Sequence, residues 1–258
     1  MKQFWVMYKK EWLEALRSWK VLWIPLVFMI LGASQPLTTY YMDTIIQAVG
    51  GLPEGTVFDI PLPEAEEILP PVQSQFNQIG LLILVLAFMG TTAGERQQGT
   101  HLMILSKPVS ETNFILAKAA HAFSLTLLAY AGGIAAAVYY TVVLFGTLNP
   151  VNVFQGAVVY TVWLAFVLSS LLFFSSFIKG YAGSAFLTLV TALLVSLSAS
   201  FLPERLIYSP GVLSAQSSSF YLTGSSSDGF LGAFVLTVFL ITALLIAACL
   251  IFKKRKLA

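Results

Sequence analysis

The sequence predicts an all-α integral membrane protein with six transmembrane helices. Three observations carry this. Hydrophobic residues make up 57% of the 258 positions and charged residues only 10%, whereas a soluble domain carries about 25% charge. Six apolar runs are each long enough to cross a hydrocarbon core of about 30 Å. The basic residues fall almost entirely on one side of the map that these runs define.

Residues 1–20 predict an amphipathic helix lying in the membrane interface. Trp5, Tyr8, Trp12, Leu16 and Trp19 recur at spacings of three and four, and Lys9, Lys10, Glu11, Glu14 and Arg17 fill much of the remainder. Trp5, Trp12 and Trp19 are candidate interface anchors, since an indole ring and a snorkelling ammonium both suit the headgroup layer. The charged leader is too long and too acidic for a signal peptide.

The first span is expected at about 21–41, with Tyr40 and Tyr41 marking an interface. Residues 43–73 form an acidic loop without a basic residue. Within it Pro63 opens a helix of one to two turns, which the pair Pro70-Pro71 is expected to end. The second span covers about 76–93, and a polar interruption follows at 94–112. The third span, about 114–145, is too long for one straight crossing, so it begins outside the core or breaks at Gly132-Gly133. The fourth and fifth spans, about 153–178 and 181–202, are joined by a tight turn at Lys179-Gly180. Residues 203–228 are rich in Ser and Gly, yet Leu206, Ile207, Val212, Leu213, Phe220, Tyr221 and Leu222 are too apolar for a free linker and predict a segment resting on protein or lipid. The sixth span covers about 229–252, before the basic tail Lys253-Lys254-Arg255-Lys256. The whole chain reads as one transmembrane domain.

With both termini in the cytoplasm, thirteen of the fourteen Lys and Arg residues lie on the cytoplasmic side, and Arg205 alone lies outside. That bias sets the expected orientation, with the 94–112 loop inside and 43–73 and 203–228 outside.

The chemistry the sequence lacks also narrows its function. No Gly-x-x-x-x-Gly-Lys-[Ser/Thr] loop occurs, so ATP is not bound in the P-loop manner. The single cysteine, Cys249, leaves no intrachain disulfide, and neither histidine, His101 or His121, has a metal-ligand partner at zincin spacing. His121, three residues after Lys118, reads as a hydrogen-bonded histidine near the interface. The fifth span carries Ser184 and a serine-rich stretch but no nucleophile turn, so its small residues read as helix contacts.

The polar interruption holds a compact apolar knot, Leu102-Met103-Ile104-Leu105, between Gly99, which permits a sharp turn, and Pro108, which stops a helix. The residues alone allow a loop dipping into the headgroups or a short helix that docks in a groove. The order Glu95, Gly99-Thr100, Leu102, Leu105, Pro108-Val109-Ser110 and Lys118 resembles the segment after the second span in permeases of the ABC-2 family, and Tyr208 to Gly224 resembles the segment before their last span. The resemblance implies a cytoplasmic coupling helix between spans 2 and 3, in which Thr100, His101, Leu102, Met103, Ile104, Leu105, Ser106, Lys107 and Pro108 dock on a separate ATP-binding subunit. It makes Glu95, Arg96 and Lys118 candidate coupling charges, with Glu95 and Arg96 as a charge pair to the leader. It also implies short external or re-entrant helices before span 6.

These features imply a permease subunit that is not itself an enzyme. It needs no cofactor of its own, ATP and magnesium being held by two copies of an ATP-binding partner. The resemblance further implies pairing with a second copy or a paralogue in a bacterial plasma membrane, with lipid contact and no nucleic acid bound. An interior with so few charges suits a lipid-like, amphipathic or peptide substrate, and the resemblance implies that it is exported. The alternatives are a stand-alone gradient-driven carrier or channel, against which the scarcity of buried ionisable groups argues, and a non-transporting component that passes ATPase motion to a partner.

Overall fold

A computed structural model describes residues 2–49, 61–91, 94, 110–178, 180–201 and 205–254. Among these residues all regular structure is helical, and six helices are long and apolar enough to cross a membrane. They are α2 (Lys20–Tyr40), α4 (Ala65–Phe88), α5 (Glu111–Phe145), α6 (Pro150–Phe177), α7 (Tyr181–Phe201) and α9 (Phe230–Lys254). The remaining helices are α1 (Lys2–Arg17), α3 (Met42–Val49) and α8 (Val212–Thr223). The chain is a multi-pass membrane protein.

The leader turns into the first span at Trp19, whose backbone is left-handed (φ 60°). A residue with a bulky side chain rarely adopts this conformation, which here makes the corner between the two helices. The two prolines inside α2, Pro25 and Pro36, do not interrupt it. In lipid, a broken helix would leave backbone groups without water, which favours continuity.

The second span starts at Ala65, well before the expected start near residue 76, and runs through Pro70-Pro71 instead of ending there. Each proline frees a carbonyl four residues earlier, here in the first turn of the helix. Against that, Ile68, Leu69 and Val72 are 2%, 1% and 0% exposed; their burial outweighs the local penalty, as tertiary packing commonly does. At the helix start, the Glu64 backbone N–H donates to Glu67 Oε2 at 3.3 Å. One π-helical turn, Phe76–Gly80, interrupts the regular winding, and within it Asn77 Oδ1 accepts from Trp163 Nε1 at 2.8 Å.

The third span does not break at Gly132-Gly133. It is one helix of 35 residues, about 52 Å long at 1.5 Å per residue, so part of it projects beyond a core of about 30 Å. The glycines serve a different purpose: α2 crosses α5 there with backbones in contact. A Cβ on Gly133 would lie 2.8 Å from the Phe28 carbonyl oxygen, and one on Gly32 would fall on the Gly133 carbonyl. Phe28 and Phe76 stack beside the crossing with centroids 5.3 Å apart.

The most enclosed span is α6, which buries Val159, Tyr160, Trp163, Leu164, Val167 and Leu168. In contrast, α9 exposes Leu231, Val235, Phe239, Ile246 and Leu250, a surface suited to lipid. Between α7 and α9, the segment from Leu206 packs on the bundle. Its helix α8 buries Leu213, Phe220 and Tyr221 and ends at Gly224, whose positive φ of 67° closes the last turn.

Candidate functional site at the termini end of the bundle

Most of the 92–109 segment, including Glu95, Arg96 and all of Thr100 to Pro108, lies outside the described residues. The described residues do show what holds its two ends, the end of α4 and the start of α5. The start of α5 is fastened to the leader and the end of α4 to the first residue of α2.

The face of α1 that turns inward carries Met7, Glu11 and Ala15, spaced by four so that they form one stripe on a helix. Met7 joins Phe114, Ile115, Ala248 and Phe252 in a separate apolar cluster, which brings the leader, the start of α5 and the end of α9 together. Next to this cluster, Lys118 Nζ donates to Glu11 Oε1 at 2.8 Å, and the two side chains are only 1% and 5% exposed. Lys10 Nζ reaches the same oxygen at 3.2 Å, and the Lys118 ammonium lies 4.8 Å over the Phe114 ring. Two further contacts run along this seam: Tyr8 and Ser124 share a hydroxyl–hydroxyl hydrogen bond of 3.0 Å, and Asn113 Nδ2 donates to Gln3 Oε1 at 3.3 Å.

The other end of the segment is held from α2. Lys20 Nζ donates to the carbonyl oxygen of Ala87 at 2.9 Å, in the last turn of α4, where carbonyls lack helical partners and a cation complements the helix dipole. One continuous piece of chain, Glu11 to Lys20, thus grips both stalks of the polar interruption.

His121 fills the space between the stalks. It is 4% exposed; its ring lies edge-on to Trp12 at 5.4 Å and to Phe88 at 6.2 Å. The expected hydrogen bond is absent, since neither ring nitrogen has a partner; the residue acts as an aromatic spacer between leader and second span. Trp12 is therefore half-buried against the bundle, whereas Trp5 and Trp19 are 57% and 67% exposed.

Burial pushes the Glu11 carboxyl up, but Lys118 and Lys10 together outweigh it and hold the group below the ordinary carboxylate range. A depressed carboxyl contributes its stability above the unfolded-state pKa and loses it as pH falls through the lower folded-state value. The melting temperature of the wild-type chain is therefore expected to drop on acidification between about pH 5 and pH 3. Glu11→Gln, measured by the same thermal scan, is expected to flatten that acid limb. An unchanged limb would show that other groups govern it.

A second feature lies midway along the spans. A groove of about 500 Å³ runs between α4, α6 and α7, mostly apolar, with Asn77, Gln78, Trp163 and Ser196 among its lining residues. Its size and its few polar groups in an apolar wall are those of a small-molecule site.

Sequence reasoning singled out Lys118 but missed Glu11 and Lys20 as the groups that tie the stalks. The available signal was Lys118 itself, a charge inside an apolar run with no acid three or four residues away; such a charge requires a partner from another element.

The model for the ABC-2 family transporter protein family matches residues 16–195. The chain belongs to the ABC-2 transporter family. The match covers the end of the leader, the first four spans, most of the fifth, and both stalks held by Glu11, Lys20 and Lys118. This ABC-2 chain is also 29% identical over 256 residues to the uncharacterized transmembrane protein YxlG of Bacillus subtilis (strain 168), covering 99% of the chain and 98% of that relative. The family is one of transmembrane subunits and implies an ABC ATP-binding subunit as partner.

Proposed function

We propose that this chain is the permease subunit of an ATP-driven ABC-2 exporter, with both termini in the cytoplasm and a separate ATP-binding subunit docking on Thr100 to Pro108. The observation that carries this reading is the double grip of the stretch from Glu11 to Lys20 on the two stalks that flank residues 92–109, through Lys20 on the Ala87 carbonyl and Glu11 on Lys118. A loop with no mechanical role would not need a buried ion pair at one root and a cation on the helix-end carbonyl at the other. A push on the segment from below reaches α4 and α5 together with α1, and these helices carry it into the membrane. Pairing with a second copy or a paralogue would place two such assemblies over two ATPases, with ATP and magnesium held in those partners.

The groove between α4, α6 and α7 supports a lipid-like, amphipathic or peptide cargo, since its walls are apolar and its polar groups are amides, an indole and a hydroxyl without net charge. The test is purification of the tagged chain from its native membrane in mild detergent. A soluble ATPase is expected with the wild type and is expected to be lost, with insertion intact, from the variant carrying Leu102→Asp and Leu105→Asp. Recovery of the chain alone would favour a stand-alone carrier. Equal recovery of the ATPase with the variant would remove the docking assignment.

A further inference from the structure

Towards the opposite end of the bundle, four elements converge on a polar cluster: Gln73 of α4, Tyr130 of α5, Tyr160 of α6 and Tyr221 of α8, between 0% and 2% exposed. Groups of this kind are tolerated in an apolar interior only when hydrogen-bonded. Part of the cluster meets that condition. Tyr130 Oη donates to Gln73 Oε1 at 3.0 Å, Tyr221 Oη donates to the same oxygen at 3.3 Å, and the two hydroxyls are 3.1 Å apart.

The rest of the cluster does not. Gln73 Nε2, with two N–H groups, and the Tyr160 hydroxyl are buried without a partner. Both belong to the same packed unit. The Tyr160 and Tyr130 ring centroids are 5.1 Å apart. One turn before Tyr160, position 156 is glycine because the Tyr221 ring occupies the side-chain space, with its Cδ1 2.7 Å from where a Cβ would stand. Ser217, one turn before Tyr221, donates to the Gly156 carbonyl at 2.8 Å. An unmet amide donor and an unmet hydroxyl on one cluster are what a bridging water satisfies, since it donates and accepts at once and takes two to four polar partners.

We propose that Gln73 and Tyr160 bind a buried water that completes a hydrogen-bonded node pinning α8 to α4, α5 and α6. The Gln73 amide donates to the water, and the water bridges to the Tyr160 hydroxyl.

The sign of one substitution tests this. In the full chain, purified in lipid nanodiscs, Tyr160→Phe removes the hydroxyl and nothing else. With the water present, the loss strands one of its partners, and the melting temperature is expected to fall by about 2–4 °C. If the hydroxyl sits unpaired in dry packing, its removal relieves a desolvated group; a melting temperature that rises or stays unchanged overturns the proposal. The double variant Gln73→Leu with Tyr160→Phe separates a shared water from two independent effects. A combined fall smaller than the sum of the single falls is expected. Strict additivity overturns the shared site.

Discussion

Glu11→Ala in the full chain is expected to destabilise it by about 3–5 kcal/mol, because it leaves Lys118 charged and 1% exposed without its carboxylate. For a domain of this size the loss corresponds to a fall in melting temperature on the order of 10 °C. Glu14 is the natural control: it lies one turn further on the leader, 57% exposed, with Lys10 at 3.6 Å. An exposed pair of this kind contributes little, so Glu14→Ala is expected to change the melting temperature by no more than a degree or two. The double variant Glu11→Leu with Lys118→Met carries the argument further. Replacing a buried pair by apolar residues of similar size is often neutral or stabilising, so its melting temperature is expected near wild type. If the pair also transmits motion, as proposed, this stable variant should show impaired coupling between ATP hydrolysis and transport. A Glu11→Ala chain that melts like Glu14→Ala would remove the buried clamp.

The parts of this molecule that were legible in the sequence are those fixed by composition over many residues. Six runs of apolar side chains admit few arrangements in a bilayer, because only helices satisfy a lone crossing backbone, and six helices long and apolar enough to span are found among the described residues. The apolar residues of the 203–228 segment likewise announced that it rests on something, and α8 buries Leu213, Phe220 and Tyr221. What escaped depends on partners distant in sequence. Pro70-Pro71 reads locally as a stop, and only the burial of Ile68, Leu69 and Val72 against other helices shows why the helix continues. Glu11 looks like one more charge on a polar leader until Lys118, 107 positions away, is placed beside it. His121 next to Lys118 suggested a hydrogen bond, but the space around it is filled by Trp12 and Phe88. Of the candidate site, the location of the stalks was readable and the groups that grip them were not.

The adjacent glycines of α5 give a sharper test, because the sequence presents them as equivalent and the structure does not. A methyl group at position 133 would meet the Phe28 carbonyl oxygen and Phe76 Cζ, each at 2.8 Å, and the Phe28 carbonyl carbon at 3.2 Å. A backbone carbonyl cannot swing aside, so Gly133→Ala must part α2 from α5 along their crossing. The penalty is expected at or above the ~3 kcal/mol upper end of ordinary overpacking. At position 132 the nearest atoms are Met29 Cε at 2.9 Å and Met29 Cγ at 3.5 Å, belonging to a flexible side chain that is 44% exposed and free to move. Gly132→Ala is therefore expected to be neutral or to stabilise by up to ~1 kcal/mol through helix propensity. Purified side by side, the position 133 variant should lose most of its monodisperse protein and melt far below wild type, while its neighbour should match or exceed wild type. Equal behaviour of the two would mean that α2 and α5 do not touch backbone to backbone. Because α2 continues directly from the leader through Trp19, a loosened crossing is also expected to weaken the grip of Lys20 on α4. If an ATPase docks on Thr100 to Pro108 as proposed, the position 133 variant should then lose that coupling even in the fraction that remains folded.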